Sequence, residues 1–198
     1  MSRSSGLQTL SIRCVLVGVC LLASACATSS SSRLQSFERV LAAQDSATVA
    51  LTQWCETRAI SDPARIVAQP GGGAPVAADA RTLRLLEVKS GAELAYRNVA
   101  LDCGSTTLSY AHNWFVPARL TPAMNETLDT TREPFGRVVA PLGFTRERLP
   151  SERGAAQGCP VDTVLSHGAV LRLSGGTPIS RVIECYTPAT IADLDQAP

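Results

Sequence analysis

Leu171-Arg-Leu-Ser-Gly-Gly-Thr-Pro-Ile-Ser-Arg-Val-Ile-Glu184 decides how the second half of the chain is built. Two apolar-rich runs, residues 169–173 and 179–186, flank Ser174-Gly175-Gly176, and paired glycines tolerate the positive φ that tight hairpin turns demand. A β-hairpin is therefore expected. Asp102-Cys-Gly104-Ser105 does the same between the strand-type runs 94–101 and 107–116, and residues 83–89 supply a fifth such run. Strands joined by turns this tight suit an antiparallel sheet.

Before the strands the periodicity changes. Phe37, Val40 and Leu41, then Val49, Ala50, Leu51 and Trp54, recur at three-to-four spacing, with Ser36 and Asp45 placed as N-caps. The pattern predicts a broken helix or a helix pair from 36 to about 59, stopped by Ser61-Asp62-Pro63. Residues 69–80, with Gly71-Gly72-Gly73, read as a loop. Thr121-Pro122 opens a short helix over 123–129, and Glu133-Pro134-Phe135-Gly136 can start another. The expected fold class is α+β: an antiparallel sheet of five to six strands with an N-terminal helix pair and short inserted helices.

The 198 residues, 45% of them hydrophobic, fit one globular domain with a real core. Charged residues make up only 18% and the net charge is +1, so the chain lacks the electrostatic footprint that binding a phosphate backbone requires, and nucleic acid is not an expected partner. The domain is expected to act as a monomer.

The first residues read as an address. Arg3 and Arg13 precede the apolar run Cys14-Val-Leu-Val-Gly-Val-Cys-Leu-Leu-Ala-Ser-Ala25, the order of a secretory signal, and the run is too short to span a bilayer. Leu22-Ala-Ser-Ala-Cys26 resembles a bacterial lipobox, which implies a diacylated Cys26, a membrane anchor and a place at the outer membrane of the cell envelope, facing the periplasm. A plain signal peptide cut near Ala25 or Ala27 is the alternative. The expected organisation is a signal peptide over 1–25, a lipidated flexible tether over 26–35 and one domain over 36–198. Losing Arg3 and Arg13 with the leader turns the net charge from +1 to −1.

Four cysteines then remain, Cys55, Cys103, Cys159 and Cys185. An even number in an oxidising compartment suits two disulfides, with three connectivities open. No C-x-x-C or H-x-x-x-H spacing points to zinc, so neither a metal nor a cofactor is expected. Trp54, Trp114 and His112 read as core residues rather than ligand contacts.

No single motif carries chemistry; the order of elements does. An arginine opens a strand (Tyr96-Arg97-Asn-Val-Ala-Leu-Asp-Cys-Gly104), and a second strand ends in a proline corner (Leu108-Ser-Tyr-Ala-His-Asn-Trp-Phe-Val-Pro117). Pro134-Phe135-Gly136-Arg137 follows, then Thr145-Arg146, then the hairpin with Glu184 late in its second strand. This order resembles the chorismate pyruvate-lyase family, whose fold also serves as the effector-binding domain of some bacterial transcription regulators. The resemblance covers about half the chain, 83–188. It implies that Arg97 grips a substrate carboxylate, that Glu184 bonds the ring hydroxyl, and that Phe135 and Gly136 line the ligand chamber.

The chemistry fits those roles. A guanidinium offers a carboxylate two parallel donors, and a glutamate enclosed by Val182 and Tyr186 would have its pKa raised by desolvation and could protonate a departing ether oxygen. Backbone amides after Pro134 could take a second anionic group, and of Arg119, Arg137 and Arg146 the preferred second-carboxylate partner is Arg137, because it adjoins Gly136. The activity so implied is cofactor-free cleavage of chorismate to 4-hydroxybenzoate and pyruvate, as in ubiquinone biosynthesis. Export away from cytoplasmic chorismate leaves two alternatives open: an envelope lipoprotein that binds a small aromatic carboxylate without turnover, and a structural domain with a vestigial chamber. If Arg97 and Glu184 both face the chamber, strand alternation puts Cys103 and Cys185 on opposite sides of the sheet, which disfavours their direct pairing; of the two connectivities left, Cys55 with Cys103 and Cys159 with Cys185 is preferred.

Overall fold

Ser46 has an extended backbone and its hydroxyl accepts from the Val49 amide, so helix α2 (Ala47–Thr57) is capped one residue after the Asp45 expected from sequence. The computed structural model describes residues 30–72 and 75–193. The leader and Cys26 lie outside the described residues. Helix α1 runs over 30–42, so the part of the expected tether from Ser30 to Gln35 is helical, and Ser36, expected to cap the helix, lies inside it and donates to the Ser32 carbonyl. The helix pair itself is present.

The strands are β1 (Ile66–Pro70), β2 (Ala95–Cys103), β3 (Thr106–Phe115), β4 (Thr145–Arg148), β5 (Glu152–Arg153), β6 (Leu165–Arg172) and β7 (Pro178–Tyr186). They form one antiparallel sheet in the order β1-β2-β3-β7-β6-β4, with β5 pairing β6 off that path. Both glycine-based hairpins, β2–β3 and β6–β7, are formed, with Gly104 and Gly176 at positive φ. Gln69 and Pro70, expected in a loop, close β1, whose edge position leaves a proline no ladder bond to break.

Residues 83–89, expected to be a strand, are corrected. They lie largely in helix α3 (Ala80–Leu86), capped by Asp79 accepting from the Thr82 amide, with Thr82 and Leu86 buried at i,i+4 spacing. Thr121 caps α4 (Pro122–Thr130), and α5 (Phe135–Val138) follows Pro134.

Cross-strand pairing defines two faces. One carries Arg97, Asn113 and Val182 in one row, then Val99, Ala111, Glu184 and His167, then Leu101, Ser109, Tyr186 and Leu165. Helices α1 and α2 pack on this face through Phe37, Leu51 and Trp54, and α4 and α5 cover its other end through Leu128, Phe135 and Val138. The opposite face carries Trp114, Arg181 and Ile183, with α3 against it.

The disulfides are Cys55–Cys103 and Cys159–Cys185, the pairing preferred from sequence. The β2–β3 register shifts after Leu101, but the extra residue is Leu108 on β3, so alternation along β2 is unbroken. Ile66 opposite Cys103 and Ala68 opposite Leu101 confirm that Cys103 shares the helix-covered face, where Cys55 of α2 meets it.

Candidate ligand-binding chamber

β2, β3 and β7 bring Arg97, Asn113 and Glu184 to the helix-covered face, and α2 and α5 close over them. The chamber has Arg97, Asn113, Arg146 and Glu184 as polar groups on the sheet side, Asp45, Ser46 and Thr48 on the helix side, and Val99, Ala111, Phe135, Phe144, Leu171 and Val182 among its apolar walls. Arg97 and Glu184 sit two strands and one row apart, roughly 12 Å at the usual strand spacing and rise. Both line one chamber, as do Phe135 and Gly136.

Glu184 is not a lone acid. Arg146 on β4 stands across from Leu171 and so reaches the same face, where Nη1 donates to Glu184 Oε1 at 3.2 Å and Nη2 to Oε2. The Tyr186 hydroxyl donates to Oε2 at 2.8 Å. Both side chains of the ion pair are nearly sealed, 6% and 5% exposed. Three donors thus occupy a group expected from sequence to donate a proton, because the sequence showed the apolar enclosure but not the guanidinium that enters it from a distant edge strand.

The neighbouring groups respond to that pair. Burial alone would lower the Arg146 pKa, but the Glu184 carboxylate and Tyr186 more than offset it and the net direction is up. The Tyr186 phenol is pushed well above its ordinary range, first by burial and then by Glu184. His167, directly across from Glu184, is lowered by burial, with Glu184 opposing. Arg97 is lowered by burial, with Asp129 opposing, and its Nη1 donates to the Glu133 carbonyl at 3.3 Å.

Arg137, the second-carboxylate partner preferred from sequence, is corrected. It donates to Glu133 at 2.8 Å and to the Ile66 carbonyl at the sheet edge at 3.4 Å, and does not line the chamber. Arg119 is spent on the carbonyls of Leu86, Glu87 and Pro178. Of the three, Arg146 is the one that lines the chamber. Asn113, missed from sequence, presents a buried Nδ2 without a hydrogen-bond partner among the described residues, while its Oδ1 accepts from Ser180. The alternation that put Arg97 on this face could have placed Asn113 beside it.

The cover is tight. A Cβ on Gly136 would lie 2.8 Å from Ser46 Oγ and 3.1 Å from Thr48 Oγ1, so the α5 and α2 N-termini touch only because residue 136 has no side chain. The chamber encloses about 50 Å³, room for a few waters at most.

No family model matches the chain. Among solved structures it is similar to the effector domain of PhnF from Mycobacterium smegmatis, with a TM-score of 0.52 and 15% identity over 73% of this chain and 90% of that one. It is also similar to PhnF itself from the same organism, with a TM-score of 0.53 and 14% identity over 75% of this chain and 66% of that one. The fold is therefore the chorismate lyase-like α+β fold of these effector domains. At the sequence level the chain is 39% identical over 173 residues, 78% of its own length and 73% of the relative's, to "Uncharacterized protein y4mC" of Sinorhizobium fredii (strain NBRC 101917 / NGR234). Shared identity of that extent makes the chain a member of the y4mC family.

Proposed function

We propose that the domain is a binding module for a small aromatic carboxylate, held between Arg97 and the Arg146–Glu184 pair without turnover. One observation carries the reading: Glu184 is occupied on both oxygens by donors, while Arg97 and the unpartnered Asn113 amide offer donors to the chamber beside it. Such a set recognises a carboxylate and a ring hydroxyl. Solved structures of the same fold that are described as effector domains support a small-molecule partner. Entry of a benzoate requires the α2 and α5 N-termini to part, since the closed chamber is far smaller than the roughly 300–1,000 Å³ typical of ligand sites.

The reading is tested by heating the mature chain with 4-hydroxybenzoate. A ligand at about 100 times its Kd raises stability by roughly 2.7 kcal/mol, a shift easily read in the melting temperature. No shift at millimolar ligand overturns it. The lyase reading rests on Arg97 and Glu184 in the positions the family resemblance implies. It requires pyruvate release from chorismate that Glu184→Ala abolishes, and appearance of pyruvate would replace binding by turnover. A lipid anchor on Cys26 and a place at the outer membrane, proposed from the lipobox, are tested by globomycin-sensitive processing and by mass spectrometry of the mature N-terminus.

A further inference from the structure

A larger cavity, about 500 Å³, lies on the opposite face of the sheet from the chamber. Arg181 pairs with Trp114 and Val170, one residue out of step with Val182, so it points away from Glu184 and into this second space. Trp114 and Ile183 form an apolar floor. Leu149 and Pro150 stand on one side, and Thr82 and Arg81 of α3 on the other.

The walls are fixed rather than loose. The segment running to Cys159 is tied to β7 by the Cys159–Cys185 disulfide. Ser166 Oγ accepts from the Ala156 amide and donates to the Gly154 carbonyl. His112 Nε2 lies 3.1 Å from the Gly158 carbonyl and Nδ1 2.7 Å from the Tyr96 hydroxyl, so the tautomer carrying its proton on Nε2 satisfies both. α3 is held by Arg181, whose Nη1 donates to Thr82 Oγ1 and, at 3.2 Å, to Asp79.

Arg181 is the group this arrangement leaves unfinished. It is 8% exposed and stacks 5.4 Å from the Trp114 ring, and its buried Nε has no hydrogen-bond partner among the described residues. Its counter-ion, Asp79, is 61% exposed, so solvent screens much of the neutralisation. Glu152, on the far rim, belongs to the exposed edge strand β5. A sealed guanidinium at the base of a half-apolar cavity, with Arg81 at the mouth, favours an anion that carries a hydrophobic body.

We propose that this cavity is a second ligand site, independent of the chamber, for an organic anion with a flat apolar body: the acid group meets Arg181 and Arg81 and the body lies over Trp114 and Ile183. The test is titration calorimetry of the oxidised chain with 2-naphthoate, whose bicyclic body the 500 Å³ cavity admits, with Arg97→Ala reporting any binding in the chamber on the other face. One saturable site is expected. Arg181→Gln weakens it by roughly tenfold or more, and Arg81→Glu, an exposed change that leaves folding intact, by roughly threefold or more. Arg97→Ala leaves it unchanged, and neutral 2-naphthol binds roughly tenfold more weakly than the acid. Absence of saturable binding at millimolar 2-naphthoate, equal affinity for 2-naphthol, or loss through Arg97→Ala in place of Arg81→Glu overturns the proposal.

Discussion

Glu184→Ala is the most informative single change to the helix-covered face. It leaves the Arg146 guanidinium, 6% exposed, without its counter-charge and the fully buried Tyr186 hydroxyl without its acceptor. Breaking one side of a buried ion pair costs about 3–5 kcal/mol, because the surviving charge stays desolvated. In a domain of this size each kcal/mol moves the melting temperature by roughly 2–4 °C, so the variant should melt roughly 6–20 °C lower. The triple variant Arg146→Met, Glu184→Leu, Tyr186→Phe removes every polar partner together and should recover most of the loss, since apolar groups of similar volume replace buried pairs at little or no cost. Chemical denaturation of the chain with both disulfides intact measures both. A single variant within about 1 kcal/mol of the parent, or a triple variant as unstable as the single, would refute the reasoning that this pair is sealed and mutually dependent.

Gly136→Ala should cost about 1–3 kcal/mol by pressing on Ser46, and adding Ser46→Gly should recover most of it, since glycine removes Oγ and costs only a few tenths of a kcal/mol as an N-cap; denaturation midpoints of the two variants check this. A non-reducing peptide map should join Cys55 to Cys103 and Cys159 to Cys185, and removing the bridges should cost about 4 and about 3.5 kcal/mol for sequence separations of 48 and 26, read from denaturation of Cys→Ala pairs. His112 and His167 are both lowered by burial from an ordinary 6.5, so the unfolded chain takes up protons first as pH falls. Their contribution is complete above about pH 6.5 and declines below it. Urea midpoints at pH 7.5, 6.5 and 5.5 should fall in that order, and replacing both histidines by Gln should flatten the series. Keeping the series above pH 5 separates it from Asp79 and Glu133, whose carboxyls are held below their ordinary range by Thr82 and Arg137 respectively and fail only in stronger acid.

The elements legible in the sequence were those whose signal is local. Gly175-Gly176 and Gly104 mark hairpins because the turn itself needs their backbone freedom, and alternation from Arg97 and Glu184 removed one of the three cysteine connectivities, the one that joins Cys103 to Cys185, which the structure does not form. α3 misled because Leu83-Arg84-Leu85 alternates like a strand over its short length, and the better signal was Asp79, a capping residue ahead of Thr82 and Leu86. β4, Thr145-Arg146-Glu147-Arg148, has no apolar period to read, since it is an edge strand with mostly exposed side chains. Arg146 could not be chosen over Arg137 for the same reason: its position follows from pairing with β6, a contact set by tertiary structure, whereas adjacency to Gly136 was visible in the chain. Arg97, Phe135 and Gly136 needed no such pairing to be found.

Isothermal titration of 4-hydroxybenzoate into the parent chain and into Arg97→Ala tests the central claim most directly. The account predicts one saturable site in the parent and an affinity lower by roughly tenfold or more in Arg97→Ala, as expected when a half-buried charged donor to a carboxylate is removed. Binding of equal strength in both proteins, or no heat from either at millimolar ligand, would contradict it.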